Sequence, residues 1–452
     1  MQSSPLVCVL LITGLAGLAG CAVYRPSPLP TDDRPRFADL TVDLQTLPFS
    51  QLANHRFDPS DGLDPTEVAM LAVANNPDLK LARDDAGVAH AQAFAAGLLP
   101  NPTISYGLDF PQHTPGATAA RNAGIGYDLS ALITHAAARD AGRQTARSAD
   151  LNLLWQEWQV VAQARLLCTR ILYQQKLLLW LNENSDVVTA HRSSAEAALQ
   201  AGNLSADSAN AALLAAQEAA RQINELQRQT QQARADLYAL LGLAPGTPLN
   251  LVDDEMTAMP SEAEVNASLA RLPHRPDLLA LQAGYAAQDA RYRQAILAQF
   301  PPLNLTLTKA RDNAGVPSVG FAITLSLPVF DHNQGNIAIE KATRQRLLDE
   351  YQLRLNSAHQ EIARLQMDMA LESAQLQELD AGIPLFDRAL AHAKEALLKG
   401  NLDGPGYTSF ATAALQKHVE RETLAGALAE QRLALLTWVG GDFPAPTPEA
   451  KP

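Results

Sequence analysis

The sequence has little of what catalytic or nucleic-acid-binding proteins use. Aromatic residues make up 5% of its 452 residues, and the only cysteines are Cys8, Cys21 and Cys168. Three widely spaced cysteines exclude a disulfide scaffold and a cysteine-rich zinc site. Lys and Arg total 35 against 48 for Asp and Glu, a net charge of −13. That balance argues against a nucleic-acid partner, because such proteins carry basic patches.

The chain also lacks the motifs of common catalytic sites. It has no Walker A sequence, no His-Glu-x-x-His and no Gly-x-Ser-x-Gly, so neither ATP hydrolysis nor proteolysis is indicated. The ten His are dispersed, and the six Met form no group beyond Met367 and Met369, which gives no support for soft-metal binding. His332 is interpreted as a loop residue, with a metal role as the minor alternative. We predict that the protein is not an enzyme and has no metal site.

The N-terminus predicts an exported protein. Leu6 to Gly20 is an apolar stretch of the length found in signal peptides. It ends in Leu18-Ala19-Gly20-Cys21, which resembles a bacterial lipobox, where the signal is cut before an acylated Cys. We expect a signal peptide at 1–20, lipidation at Cys21 as the only covalent cofactor, and a Pro-rich, extended tether at 21–60. The alternative is that residues 5–24 stay uncleaved as an anchor helix.

The rest of the chain is an internal duplication. Asn76-Pro77-Asp78-Leu79 returns as Arg275-Pro276-Asp277-Leu278 at an offset of 199, and Gly202-Asn203-Leu204 returns as Gly400-Asn401-Leu402 at an offset of 198. Ordered matches at a nearly constant offset indicate a repeat. Each copy reads as helix, strand, strand, long helix, turn and long helix. The predicted division is a first repeat at 61–242, a connector at 243–262, a second repeat at 263–441 and a tail at 442–452.

Four segments alternate apolar and small polar residues with a period of two, which is typical of strands in a two-faced sheet. They are 102–110, 121–129, 303–310 and 318–327, each about long enough to cross a bilayer. An ordinary half-exposed soluble sheet gives the same alternation. However, the polar face is uncharged in its middle, and four strands cannot close a barrel that leaves a lumen. Several chains would therefore have to contribute strands, since open sheet edges are not tolerated in lipid.

The remaining segments predict helices of unusual length. Segments 131–201 and 334–399 contain no proline before Pro384, so each is either one helix or two stacked helices. A 65-residue helix is about 100 Å long. The return helices are predicted at 206–241 and 407–439. Apolar residues at 4,3 spacing, as from Val160 to Leu181 and from Leu424 to Trp438, fit left-handed packing against neighbouring helices.

This arrangement resembles the TolC family of outer-membrane efflux channels. The resembling residues are Asn76-Pro77-Asp78-Leu79, the two Gly-Asn-Leu sequences above, Leu98-Leu99-Pro100-Asn101-Pro102, Leu240-Leu241-Gly242 and the run from Leu327 to Ala338. The last run resembles lipid-anchored members that serve heavy-metal exporters. Within it, we expect Pro328 to end a strand and Gly335 with Asn336 to permit a tight entry into the next helix.

The resemblance implies a mainly α fold with transmembrane β structure. It implies that three chains give four strands each to one twelve-stranded β-barrel, which continues as a long α-helical coiled-coil barrel in the periplasm. It also implies the outer membrane of a Gram-negative bacterium, where the channel passively conducts substrates delivered by an inner-membrane RND-type pump and a periplasmic adaptor. The alternative function is a periplasmic coiled-coil adaptor or structural lipoprotein, which explains the helices but not the strands. The sequence leaves open whether the cargo is a metal cation, a drug or an organic solute.

The resemblance further implies that the tips of the two helical hairpins narrow the tunnel and contact the adaptor. Carried over by position, these residues are Gly202, Asn203, Leu204 and Asp207 in the first tip and Gly400, Asn401 and Leu402 in the second. Ordinary helix capping explains the same residue types. In a trimer, Asp403 would form a ring of three carboxylates. Because Gly404-Pro405-Gly406 replaces the more helical sequence expected at the second tip, Tyr407 joins Asp403 as a gate candidate.

Overall fold

The computed structural model describes residues 24–29, 35–112, 118–253, 269–270 and 272–439. The chain divides into two units, Met1–Phe37 and Ala38–Pro452. The described residues of the first unit are exposed and have no regular secondary structure. The predicted signal peptide, Cys21, part of the connector and the C-terminal tail lie outside the described residues.

The second unit is built from long helices and one small sheet. Its elements are α1 (Ser50–Ala53), α2 (Pro65–Asn75), α3 (Pro77–Ala96), β1 (Thr103–Asp109), β2 (Ala120–Asp128), α4 (Ser130–Gln200), α5 (Ala206–Leu240), α6 (Pro276–Leu297), β3 (Leu303–Arg311), β4 (Pro317–Leu325), α7 (Gln334–Leu398) and α8 (Gly404–Val439). The two long segments are single helices of 71 and 65 residues, each about 100 Å long at 1.5 Å per residue. Among the described helices, none combines the length and the apolar character needed to span a membrane.

The four predicted strands form one antiparallel sheet in the order β1-β2-β3-β4. The pairing of β2 with β3 joins the two repeats, with Ile125 opposite Leu307. Strand β4 ends at Leu325, two residues before the end of the predicted segment. Its end lies shortly before Pro328, which has no backbone N–H to donate to a ladder.

The long helices α4 and α7 are shared by two successive helical layers. Near the sheet, α4 packs against α3 and α6, and α7 packs against α6. Towards the other end, α4 packs against α5 and α8, and α7 packs against α8. The helices that pack side by side near the sheet follow the order α3-α4-α6-α7. This matches the strand order β1-β2-β3-β4, because α3 and α6 lead into β1 and β3, and α4 and α7 follow β2 and β4.

The two main hydrophobic clusters lie one in each repeat. One cluster joins α2, α4 and α5 through residues such as Met70, Ile171 and Leu237, and a second joins α7 and α8 through residues such as Ile362 and Leu428. The predicted seams contribute to both clusters, since Ala164, Leu167, Ile171, Leu428 and Leu435 are all buried. Buried alanines along α5 allow the close helix approach that an Ala-rich composition permits.

Asn76 and Arg275, at equivalent positions of the two repeats, each donate a hydrogen bond to a carbonyl near the end of the repeat's last helix. The Asn76 side chain accepts a hydrogen bond from the Leu79 N–H and donates one to the Leu240 carbonyl, both 2.9 Å long. In the second repeat, Arg275 donates to the Trp438 carbonyl at 3.3 Å. Leu240 and Trp438 are themselves 198 residues apart. Each motif thus fastens the start of one helix to the end of the repeat's last helix.

The entry into α7 differs from the expectation. Gly335 and Asn336 lie inside the helix, and the residue in the left-handed conformation is Asn333, with φ of 61°. Asn tolerates this region because its short polar side chain finds local hydrogen bonds. Here the Asn333 amide donates to the Ala295 carbonyl at 2.8 Å, which fastens the turn to the end of α6.

Candidate functional site

The sheet carries its apolar side chains on one face. The register places Ile104, Ile125, Leu307 and Phe321 in one row across the four strands. Successive side chains of a strand alternate between faces, so the rows two residues away lie on the same side. Ile104 is 80% exposed and Phe321 73% exposed. A contiguous exposed apolar face of this kind marks a surface that contacts lipid or another protein.

The opposite face of the sheet is small and polar. Its middle consists of Gly, Ser, Thr, Asn and Ala, as in Ser105 opposite Gly124 and Thr306 opposite Ala322. A Cβ atom added to Gly124 would lie 2.8 Å from the Ser105 Oγ. A side chain at position 124 would therefore displace the Ser105 side chain.

Both edges of the sheet are open. Among the described residues, β1 pairs only with β2 and β4 only with β3. All nine residues of β4 are exposed. An exposed edge presents a row of unpaired N–H and C=O groups that can pair with a strand of another chain.

The hairpin tips, at the far ends of α4 and α7, have the same backbone geometry. Gly202 and Gly400 both adopt left-handed φ values, 74° and 72°. The Asn203 N–H donates to the Ala198 carbonyl at 2.8 Å, and the Asn401 N–H donates to the Ala396 carbonyl at 2.9 Å. These bonds reach back five residues, as in a Schellman motif, where glycine is favoured because it lacks a Cβ.

The return helices also begin with equivalent caps. Ser205 Oγ accepts from the Ser208 N–H at 3.3 Å, and Asp403 Oδ1 accepts from the Gly406 N–H at 2.9 Å. The second return helix begins at Gly404, three residues before the predicted start at Tyr407. A Cβ on Gly406 would lie 2.7 Å from Asp403 Oδ1. The unusual Gly404-Pro405-Gly406 sequence therefore forms the first turn of the helix and makes room for its cap.

The structure brings some of the predicted tip residues together. Leu204 and Tyr407 line a groove of about 670 Å³ between the two hairpins, with His191 and Leu397. Tyr407 is partly buried there. Asn203, Asp207, Asn401 and Asp403 are exposed.

In the described part of the chain, no group of three or more His, Cys, Asp or Glu side chains is arranged to hold a metal ion. His332 is exposed and its N–H donates to Gln334 at 2.6 Å, in agreement with a loop role. Cys168 is fully buried, and burial raises the pKa of its thiol to about 12. The thiolate, the reactive form, is therefore scarce near neutral pH.

The sequence interpretation missed one group on the apolar face. Lys309 and Arg311 occupy the next apolar-face positions of β3 beyond Leu307, and Arg121 lies opposite Arg311. The alternation of β3 in the sequence already places Lys309 and Arg311 on the apolar face. Their proximity to Arg121, however, depends on the β2–β3 register.

Comparisons with known proteins agree on the fold. No protein-family model matches the chain. It is 29% identical over 191 residues to outer membrane protein OprJ of Pseudomonas aeruginosa, covering 38% of this chain and 36% of OprJ. It is 28% identical over 302 residues to the cobalt-zinc-cadmium resistance protein CzcC of Cupriavidus metallidurans, covering 62% of this chain and 66% of CzcC. The chain thus spans less than two thirds of these curated relatives.

The likeness to solved structures extends over almost the whole chain. The Campylobacter jejuni CmeC outer membrane channel superimposes with a TM-score of 0.69 at 16% identity, covering 94% of this chain and 95% of that one. Both the four-stranded sheet and the long helices are part of the match in fold. The chain therefore has the fold of the outer-membrane channels that the TolC resemblance predicted.

Proposed function

We propose that this chain is one subunit of a homotrimeric outer-membrane channel of a Gram-negative bacterium, which passively conducts exported substrates from the periplasm to the exterior. The observation that carries the proposal is a sheet with an exposed apolar face and two open edges at one end of helices about 100 Å long. A soluble protein would bury such a face or leave it polar.

The number of strands supports assembly from several copies. Backbone groups at an open edge have no water to bond with in the hydrocarbon core, so spanning sheets must close. Four strands do not enclose a lumen. Pairing of β4 of one copy with β1 of the next satisfies both edges, and three copies give twelve strands. The small polar face then lines the lumen, and the apolar face contacts lipid.

The energy for transport comes from elsewhere in this proposal. An inner-membrane RND-type pump delivers substrate through a periplasmic adaptor, which contacts the tips at Gly202, Asn203, Leu204 and Asp207 and at Gly400, Asn401 and Leu402. Acylated Cys21 fastens each subunit to the outer membrane. The name of CzcC makes divalent metal cations the first cargo to test.

The same proposal assigns the constriction to Asp403 and Tyr407. One carboxylate oxygen of Asp403 accepts the capping bond from Gly406, which orients the group and leaves its second oxygen for the lumen. Three such carboxylates around a threefold axis attract cations and repel anions. Tyr407 lies one turn further into the helix and adds bulk beside the ring.

The test is negative-stain electron microscopy of the detergent-purified protein with its molar mass measured alongside. We expect a threefold tube about 100 Å or more long, with a protein mass close to three times that of one chain, 48.5 kDa before processing. Monomers or rods without a detergent belt would contradict the proposal and favour the scaffold lipoprotein. For the gate, Asp403→Asn should reduce the cation selectivity of single channels in a planar bilayer, and unchanged selectivity would remove Asp403 from that role.

A further inference from the structure

Three basic side chains cluster at one end of the apolar face. Arg121 on β2 lies directly opposite Arg311 on β3. Lys309, two residues before Arg311, lies on the same face of β3. All three are exposed. They lie at the end of the sheet where the hairpin turns are, away from the helices.

This cluster has no acidic partner within the described residues. None of the ion pairs there includes Arg121, Lys309 or Arg311. The nearest acid along the chain, Asp312, accepts hydrogen bonds from the Ala314 and Val316 N–H groups at 3.0 and 2.8 Å. Like charges directly opposite each other in a sheet are destabilising, and a bound anion would relieve this repulsion.

The side chains surround a suitable space. A groove of about 440 Å³ is lined by Tyr106, Arg121, Lys309 and Arg311, together with Gly315 and Pro317. The Arg311 Nε donates to the Gly315 carbonyl at 2.8 Å, which holds this guanidinium at the rim while its other N–H groups stay available. Guanidinium groups bind phosphate through two parallel hydrogen bonds.

Position along the strand indicates where that anion comes from. From Leu303 to Lys309 the outward-facing residues of β3 are Leu303, Leu305, Leu307 and Lys309, a rise of about 20 Å at 3.3 Å per residue. The apolar band of membrane barrels is about 25 Å tall and is flanked by aromatic residues, and Tyr106 is two-thirds exposed beside the groove. A strand tilt of about 40° reduces the rise of about 20 Å to about 15 Å along the membrane normal. The headgroup level is therefore assigned from position: the basic cluster begins where the apolar residues of β3 end, beside an exposed aromatic residue.

We propose that Arg121, Lys309 and Arg311 form a binding site for the phosphate group of a membrane-lipid headgroup on the outer rim of the sheet. The inference rests on the proposed function, because it requires that the apolar face contact lipid. A free phosphate ion satisfies the same charges, but the apolar rows below the groove, Leu307 with Phe321 and Leu305 with Ile323, suit the acyl chains of a lipid. Three copies of the chain provide three such sites around the barrel.

The test uses the detergent-purified full-length protein, with lipid A, a diphosphorylated glycolipid, as the probe. Binding is measured by native mass spectrometry and by titration with fluorescently labelled lipid A. The variant is Arg121→Gln, Lys309→Gln and Arg311→Gln combined, and the matched control is Arg221→Gln, Arg228→Gln and Arg364→Gln, which removes three exposed positive charges from the helices.

Each basic residue near an anionic membrane surface contributes about a fivefold change in affinity, so the sheet variant should bind lipid A about 100-fold more weakly. The control should bind like the parent. Dephosphorylated lipid A should bind the parent as weakly as the phosphorylated lipid binds the sheet variant. If the triple variant does not assemble, the single variants Arg121→Gln and Lys309→Gln should each lose about fivefold.

Two results would overturn the inference: retention of parental lipid A affinity by the sheet variants, or complete displacement of lipid A by millimolar inorganic phosphate, which would identify a free-ion site. Trimer mass and detergent belt are measured on the same samples. Failure of the parent itself to form a membrane-embedded trimer would contradict the proposed function, whereas an intact trimer with unchanged lipid binding would contradict only this inference.

Discussion

A charge placed on either side of one strand distinguishes a membrane sheet from a soluble one. Ile323 and Ala322 are neighbours in β4 and both are exposed in the single chain. They lie on opposite faces, Ile323 opposite Leu305 and Ala322 opposite Thr306. If the sheet were soluble, Lys would be tolerated equally at the two positions. If the apolar face contacts lipid, Ile323→Lys should prevent assembly and Ala322→Lys should not.

The magnitude follows from the depth of Ile323. The outward-facing apolar residues of this strand and its continuation are Val319, Phe321, Ile323, Leu325 and Leu327, and Ile323 is the middle one. Lys at the midplane of a membrane barrel costs about 2–4 kcal/mol. Three subunits carry the change, so the trimer loses about 6–12 kcal/mol. Lys at Ala322 would point into an aqueous lumen, where this cost does not apply.

The assay compares the amount of each protein in the outer-membrane fraction and the fraction that migrates as a trimer before heating. Circular dichroism of the detergent-solubilised protein checks that the helices are intact in both variants. We expect parental assembly for Ala322→Lys and loss of most of the trimer for Ile323→Lys. Equal behaviour of the two variants, whether both assemble or both fail, would refute the assignment of the faces.

Two further predictions concern the core and the cysteines. Asn76→Ala should destabilise the protein by about 2–4 kcal/mol, because it removes a helix cap worth about 1 kcal/mol and leaves the buried Leu240 carbonyl without its donor, at about 1–3 kcal/mol. Asn76→Ser keeps an acceptor for the cap, so its thermal unfolding midpoint should fall between those of the parent and the alanine variant. Any other order would contradict the separate contributions of the cap and of the bond to Leu240. A maleimide should label no cysteine in the native mature protein and one, Cys168, after denaturation, because Cys168 is buried with a thiol pKa of about 12. Labelling of native protein would show an accessible thiol, and a second label after denaturation would show that Cys21 is not acylated.

The local elements of this protein follow from patterns within a few residues. Alternation at a period of two predicted all four strands, because side chains on a pleated strand point to opposite faces. Long segments without proline, apart from Pro384 in the second, predicted α4 and α7, and 4,3 spacing marked apolar seams in α4 and α8. The turn residues Gly202 and Gly400 indicated where each hairpin reverses, since glycine adopts the left-handed conformation at less cost than residues with a Cβ. The repeated motifs showed that the two halves share one plan.

Other features were decided by contacts between distant parts of the chain. The β2–β3 pairing places Arg121 opposite Arg311 across 190 residues, and no local pattern specifies that match. The same holds for the ties from Asn76 to Leu240 and from Arg275 to Trp438, where an amide and a guanidinium reach equivalent carbonyls. The local sequence did not show that Asn333, and not Gly335, forms the tight turn before α7. The hydrogen bond that stabilises the Asn333 turn goes to the Ala295 carbonyl, which lies in a different helix. Periodicity specifies which face of an element is apolar, whereas register and packing decide which residues meet across it.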